Sequence, residues 1–117
     1  MIPMNSFKSI PELIKNLSLL DQGEWIYANL NSWNSNPEYT DFYYIPWEYI
    51  QNLDDDEIYL DEEDMEMPLV VKGLNLRGWM LVGSLDYITQ NKLNFEYDNK
   101  RLIDEINYYR NNDAFRI

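Results

Sequence analysis

Two runs of carboxylates, Asp54-Asp55-Asp56-Glu57 and Asp61-Glu62-Glu63-Asp64, stand on either side of Ile58-Tyr59-Leu60. Side chains of this type can coordinate a hard cation, exchange protons with a substrate or attract a basic partner. A helix–loop–helix calcium loop needs acids at its positions 1, 3 and 5, then glycine, then a closing glutamate at position 12. Counted from Asp54, Ile58 takes position 5 and Tyr59 the glycine position, so the pattern fails. An irregular hard-cation cluster is the metal reading that remains. Glycoside hydrolysis needs one carboxyl kept protonated in a cleft and a second at a set separation. An unbroken acid run is a poor place to hold a single proton. The chain has no His and no Cys, which removes the serine triad, thiol nucleophiles, disulfides and the commonest zinc ligands. Its four glycines, Gly23, Gly73, Gly78 and Gly83, form no phosphate-binding loop. The enzyme class therefore ranks last, and no catalytic residue, metal ligand or cofactor is assigned.

Attraction of a basic partner is the chemistry left. The 117 residues carry 21 acids and 9 bases, a net charge of −12. Residues 16–71 hold 14 acids and no Lys or Arg, while 7 acids and 9 bases lie outside. One contiguous stretch thus carries the whole excess. Such a balance opposes nucleic acid and anionic membrane as partners, because both are held by Lys and Arg. The bland reading is a solvated acidic loop that keeps the protein soluble. The sharper reading is a surface that meets a basic protein. Trp33, Tyr39, Phe42, Tyr43, Tyr44, Trp47, Tyr49 and Tyr59 share the stretch. Protein interfaces use such rings as buried anchors and charge for steering, although some of these rings must belong to the core. The partner-binding candidates are Asp54, Asp55, Asp56, Glu57, Asp61, Glu62, Glu63 and Asp64 for charge, with Tyr43 and Tyr59 as anchors.

The elements that must position these residues read as one α+β domain over residues 1–117. Ser9-Ile10-Pro11-Glu12 is a capping box, and Ile10, Leu13, Ile14 and Leu17 predict a helix over 10–19. Trp25 and Tyr27 alternate with Ile26 and Ala28 as in a strand, and 31–37 reads as a polar loop. Strands are expected at 40–45 and 58–60, with a helical turn at 47–53 that has Pro46 at its first position. Pro68 is expected to start a short helix over 69–74. The apolar run 77–82 reads as a buried central strand, followed by a helix capped by Ser84 with Leu85 and Ile88 inward. Phe95 and Tyr97 are expected to pin a connection to the body, and Asp98 to cap a last helix over 99–112. That helix has a stripe of Leu102, Ile103, Ile106 and Tyr109, and Phe115 folds back as a cap. The architecture expected is a small, mostly antiparallel sheet of three to four strands with helices packed on one side. No run of about 18 apolar residues and no leader-like N-terminus is visible, so the chain reads as cytoplasmic.

The second half resembles a family of short bacterial proteins. The resemblance rests on an acidic stretch, Met67-Pro68, the strand Gly78-Trp79-Met80-Leu81 and the closing run Tyr108-Tyr109-Arg110-Asn111-Asn112-Asp113-Ala114-Phe115. Together with its size, acidity and helix-first layout, the chain resembles immunity proteins of polymorphic toxin systems, including contact-dependent growth inhibition. The resemblance implies fold and context and brings no catalytic residue. It implies a protein that binds and neutralises a cognate toxin domain, with a nuclease first in line because nuclease sites are basic. On this reading, reversing Asp61, Glu62, Glu63 and Asp64 to Lys abolishes protection and leaves the fold intact. A nucleic-acid mimic that inhibits DNA- or RNA-binding proteins is the alternative. An adaptor domain whose acidity serves only solubility is the third reading.

Overall fold

The computed structural model describes residues 4–91 and 99–114. Strands β1 (Asn5–Phe7), β2 (Trp25–Ala28), β3 (Phe42–Tyr44) and β6 (Arg77–Leu81) form an antiparallel sheet in the order β1-β3-β2-β6. Strands β4 (Ile58–Leu60) and β5 (Glu66–Pro68) form a separate antiparallel hairpin. The helices are α1 (Ile10–Asn16), α2 (Leu30–Ser35), α3 (Trp47–Gln51), α4 (Val82–Asn91) and α5 (Asn99–Asn112), joined by 3₁₀ turns at 17–19, 37–39, 55–57 and 69–74. The α+β class with a small antiparallel sheet is thus the fold of the molecule.

Strand alternation splits the rings between two cores. Ile26, Ala28, Phe42 and Tyr44 point to one face, where they meet Ile10 and Leu13 of α1, Trp33 of α2, Leu85 and Ile88 of α4, and Leu102 and Ile106 of α5. Trp33, Phe42 and Trp79 meet edge-on or tilted at its centre, with ring centroids 4.5 to 6.1 Å apart. Tyr27 and Tyr43 point to the other face and pack on a smaller cluster of Ile45, Ile50, Met67, Val71 and Leu76. That cluster lies under α3, the hairpin and the turn 69–74, so the later part of the acidic stretch, from Trp47 on, forms a second layer over the sheet.

Several local expectations hold. The last helix spans 99–112, and its stripe of Leu102, Ile103, Ile106 and Tyr109 faces the main core. Ser9 caps α1 by accepting the Glu12 N–H, but the Glu12 carboxylate reaches back to the Lys8 N–H instead of closing the box on Ser9. The helix loses its α form after Asn16 and continues as the 3₁₀ turn 17–19. Pro46 and Pro68 are caps rather than first helical residues, and 69–74 is a 3₁₀ helix.

Other expectations are corrected. Residues 31–37 are not a loop. Asn29 caps α2 by accepting the Ser32 N–H at 3.0 Å, and Trp33 is buried at its centre. Burial of one Trp is worth about 3 kcal/mol or more. That matches the few tenths per residue by which Asn and Ser disfavour a helix six residues long. β6 lies at a sheet edge rather than at its centre. It is apolar because a bulge between its pairings with Ile26 and Tyr27 turns Trp79 and Met80, which are adjacent, both into the main core. Ser84 does not cap α4, which starts at Val82. The Val82 and Gly83 N–H groups donate to the carbonyls of Glu24 and Gln22 at 2.9 and 3.0 Å, so the chain itself supplies the cap. A Cβ at Gly83 would stand 3.1 Å from the Gln22 carbonyl oxygen, and glycine permits the approach. Strands β1 and β5 carry no alternation long enough to read, at three residues each. Phe95, Tyr97, Asp98 and Phe115, to which the sequence reading gave roles, lie outside the described residues.

Candidate functional site

The acidic layer is built from α3, the turn 55–57 and the hairpin. Its two acid runs have different fates. Asp61 opens the hairpin loop, and its side chain is 4% exposed. Its Oδ1 accepts the N–H groups of Glu63 and Met65 at 2.8 and 3.0 Å. Its backbone closes the loop, since the Asp61 carbonyl accepts the Asp64 N–H and the Asp61 N–H donates to the Met65 carbonyl, both at 3.0 Å. Asp64 follows the turn with φ 60°, in the left-handed region. A turn closed by a left-handed residue is a common three-residue hairpin connection.

The loop folds over Arg77, whose guanidinium lies 3.7 Å from Asp61, 3.3 Å from Glu62 and 3.5 Å from Glu63. Arg77 is mostly buried, whereas Glu62 and Glu63 are exposed. The second acid run is therefore partly spent inside the molecule, tying the hairpin to β6. Asp61 also carries the hairpin's fold, so reversing the four residues 61–64 would disturb the structure instead of sparing it.

The first run is free of such partners. Asp54, Asp55, Asp56 and Glu57 are all exposed, and none meets a Lys or Arg among the described residues. Glu57 accepts the Asp54 N–H at 3.0 Å, which shapes the turn. Carboxylate oxygens of Asp54, Asp56 and Glu57 lie within 4.8 Å of one another. At one oxygen each, three exposed carboxylates supply about half of the ligands that a calcium ion takes. The arrangement suits attraction of a basic surface better than it suits a cage for a cation.

The anchors are sorted too. Tyr43 and Tyr59 are half-buried against the smaller cluster, and Lys72 Nζ stands 5.9 Å from the centre of the Tyr59 ring. Burial raises the Tyr59 phenol above its usual value of 10, the Asp61 charge adds to this, and Arg77 opposes it. Burial also raises Tyr43, with Asp41 adding to it, and raises Tyr27, with Glu24 and Asp61 adding to it. Trp33, Phe42 and Tyr44 belong to the main core. Of the eight rings from Trp33 to Tyr59 that share the stretch with the acids, Tyr39, 77% exposed, and Trp47, 44% exposed, have open faces. Both lie in the acidic stretch, where residue type alone does not single them out from the other rings. Trp47 carries the one available signal, an aromatic at the start of a helix of five residues, too short to bury both of its faces.

No described helix is long and apolar enough to cross a membrane. In comparisons with known proteins, the chain matches no family model, no curated protein and no solved structure.

Proposed function

We propose that this chain is an immunity-type inhibitor, which binds a basic toxin domain through its acidic layer and so neutralises it. The observation that supports the reading is the exposed turn Asp54–Glu57, four carboxylates without a cationic partner among the described residues. Leaving such charges together costs stability through mutual repulsion, and a partner of opposite sign relieves it. Exposed Trp47, on the helix that leads into this turn, offers an aromatic contact beside the charge. A nuclease is the leading toxin class, since a groove that holds phosphates presents Lys and Arg to an acidic inhibitor. Steering by charge raises association rates by about a hundredfold or more over neutral pairs.

The test is capture of partners by the tagged chain from a lysate of its source organism, with washes of rising salt, followed by toxicity assays on what is captured. One stoichiometric partner with a basic toxic domain, whose toxicity the chain suppresses, is the expected result. A spread of DNA- and RNA-binding proteins lost together as salt rises would instead favour the nucleic-acid mimic. Within the toxin complex, Asp55→Lys with Asp56→Lys is expected to slow association about tenfold or more and to flatten its salt dependence, with an unchanged circular dichroism spectrum. Unaltered association in that variant would remove the acidic turn from the interface.

A further inference from the structure

A cleft of about 500 Å³ opens between the chain around Leu19–Glu24 and the start of α3. Its apolar lining comes from Leu19, Leu20, Tyr44 and Pro46. Leu19 is 78% exposed, an unusual state for a leucine that follows a core helix. Asp21, Glu24 and Glu48 also line the cleft, and among the described residues no Lys or Arg does. The walls are held in place before any ligand arrives. The Asp21 N–H donates to Tyr44 Oη at 3.2 Å, and Glu24 Oε1 accepts the Trp47 N–H at 2.9 Å. The Glu24 carbonyl is tied to Val82 at 2.9 Å.

We infer that this cleft receives an arginine side chain of a protein partner. The aliphatic stem would lie on Leu19 and Pro46, and the guanidinium would sit among Asp21, Glu24 and Glu48. Arginine fits because its stem is apolar while its head is a weakly hydrated fork that pairs with carboxylates. A simple anion is excluded by the three negative charges, and an apolar residue would desolvate them without supplying a counter-charge. The inference rests on the reading of this chain as a binder of a basic protein and gives that reading a second contact. Glu48 stands six positions before Asp54. Six residues span at most about 20 Å, so one partner surface can reach both.

The test titrates a blocked Gly-Gly-Arg-Gly-Gly peptide into the isotope-labelled full chain at low salt, with the citrulline peptide as its neutral twin. Saturable shifts at the Leu20, Glu24 and Trp47 amides with the arginine peptide, absent with citrulline, are expected. The Asp21→Asn, Glu48→Gln double variant is expected to weaken binding by roughly threefold to tenfold, as for two exposed ion pairs. Equal shifts with both peptides, shifts confined to residues 54–57, or unchanged affinity in the double variant would overturn the assignment. The two readings fail separately. If the cleft stays silent while Asp55→Lys with Asp56→Lys still impairs toxin binding, the cleft alone falls. If the cleft binds arginine while that variant binds toxin normally, the acidic turn falls and the cleft stands.

Discussion

Asp64 holds a left-handed backbone at φ 60°, where a Cβ is disfavoured. Asp64→Gly is expected to stabilise the protein by about 0.5 to 1 kcal/mol in urea unfolding. Asp64→Ala removes the same charge but keeps the Cβ, so it should gain less or lose stability. Equal gains in both variants would trace the effect to charge instead of backbone. The tyrosines give a pH dependence. The phenols of Tyr27, Tyr43 and Tyr59 are raised above 10 by burial, with nearby carboxylates adding to the effect. The folded state therefore holds these protons more tightly than the unfolded state. Their contribution is complete below about pH 10 and is lost as pH rises through the raised folded values. Urea midpoints are expected to fall between about pH 9.5 and 11 and to fall less in Tyr27→Phe. At this scale the sequence showed which residues carry charge, but not which charges are already paired. Asp61 and Asp55 look alike in the chain, and only one of them lies against Arg77.

The hairpin is the element where structure and binding charge meet. Asp61→Ala leaves the Glu63 and Met65 N–H groups without their acceptor and Arg77 without its least exposed partner. The expected cost is about 1 to 3 kcal/mol, read as lost hydrogen-exchange protection concentrated in residues 58–68. Protection lost evenly across the sheet would mean that the hairpin opens only with the whole fold. Long periodic elements were legible: α5 was readable from its stripe and the β2 strand from its alternation. Short elements were not. β1 and β5 have three residues each; β1 owes its form to a partner distant in sequence, Tyr44 for Asn5, and β5 to its hairpin partner, Ile58 for Pro68. α2 looked like a loop because its one apolar anchor, Trp33, shows its worth only when Phe42 and Trp79 surround it.

For the molecule as a whole, a net charge of −12 makes stability depend on salt. The screening length falls from about 30 Å at 0.01 M to about 3 Å at 1 M. Repulsion across the acidic layer is then screened far more than the half-buried contacts of Arg77. The melting temperature is expected to rise by several degrees, or about 1 kcal/mol, between roughly 0.01 and 0.5 M sodium chloride. A fall would mean that the Arg77 pairs outweigh the repulsion. The sequence by itself determined the α+β class, the charge asymmetry and the chemistry excluded by the lack of His and Cys. Those follow from composition and local period, which need no knowledge of distant contacts. The tertiary structure alone decided that the later part of the acidic stretch forms a layer over the second face of the sheet. It also decided that one acid run is partly spent on Arg77 while the other meets no cation among the described residues, and that Asp21, Glu24 and Glu48 share a cleft with Leu19. Each of these depends on which residues far apart in sequence come within a few ångströms, and that is set by packing of the whole chain.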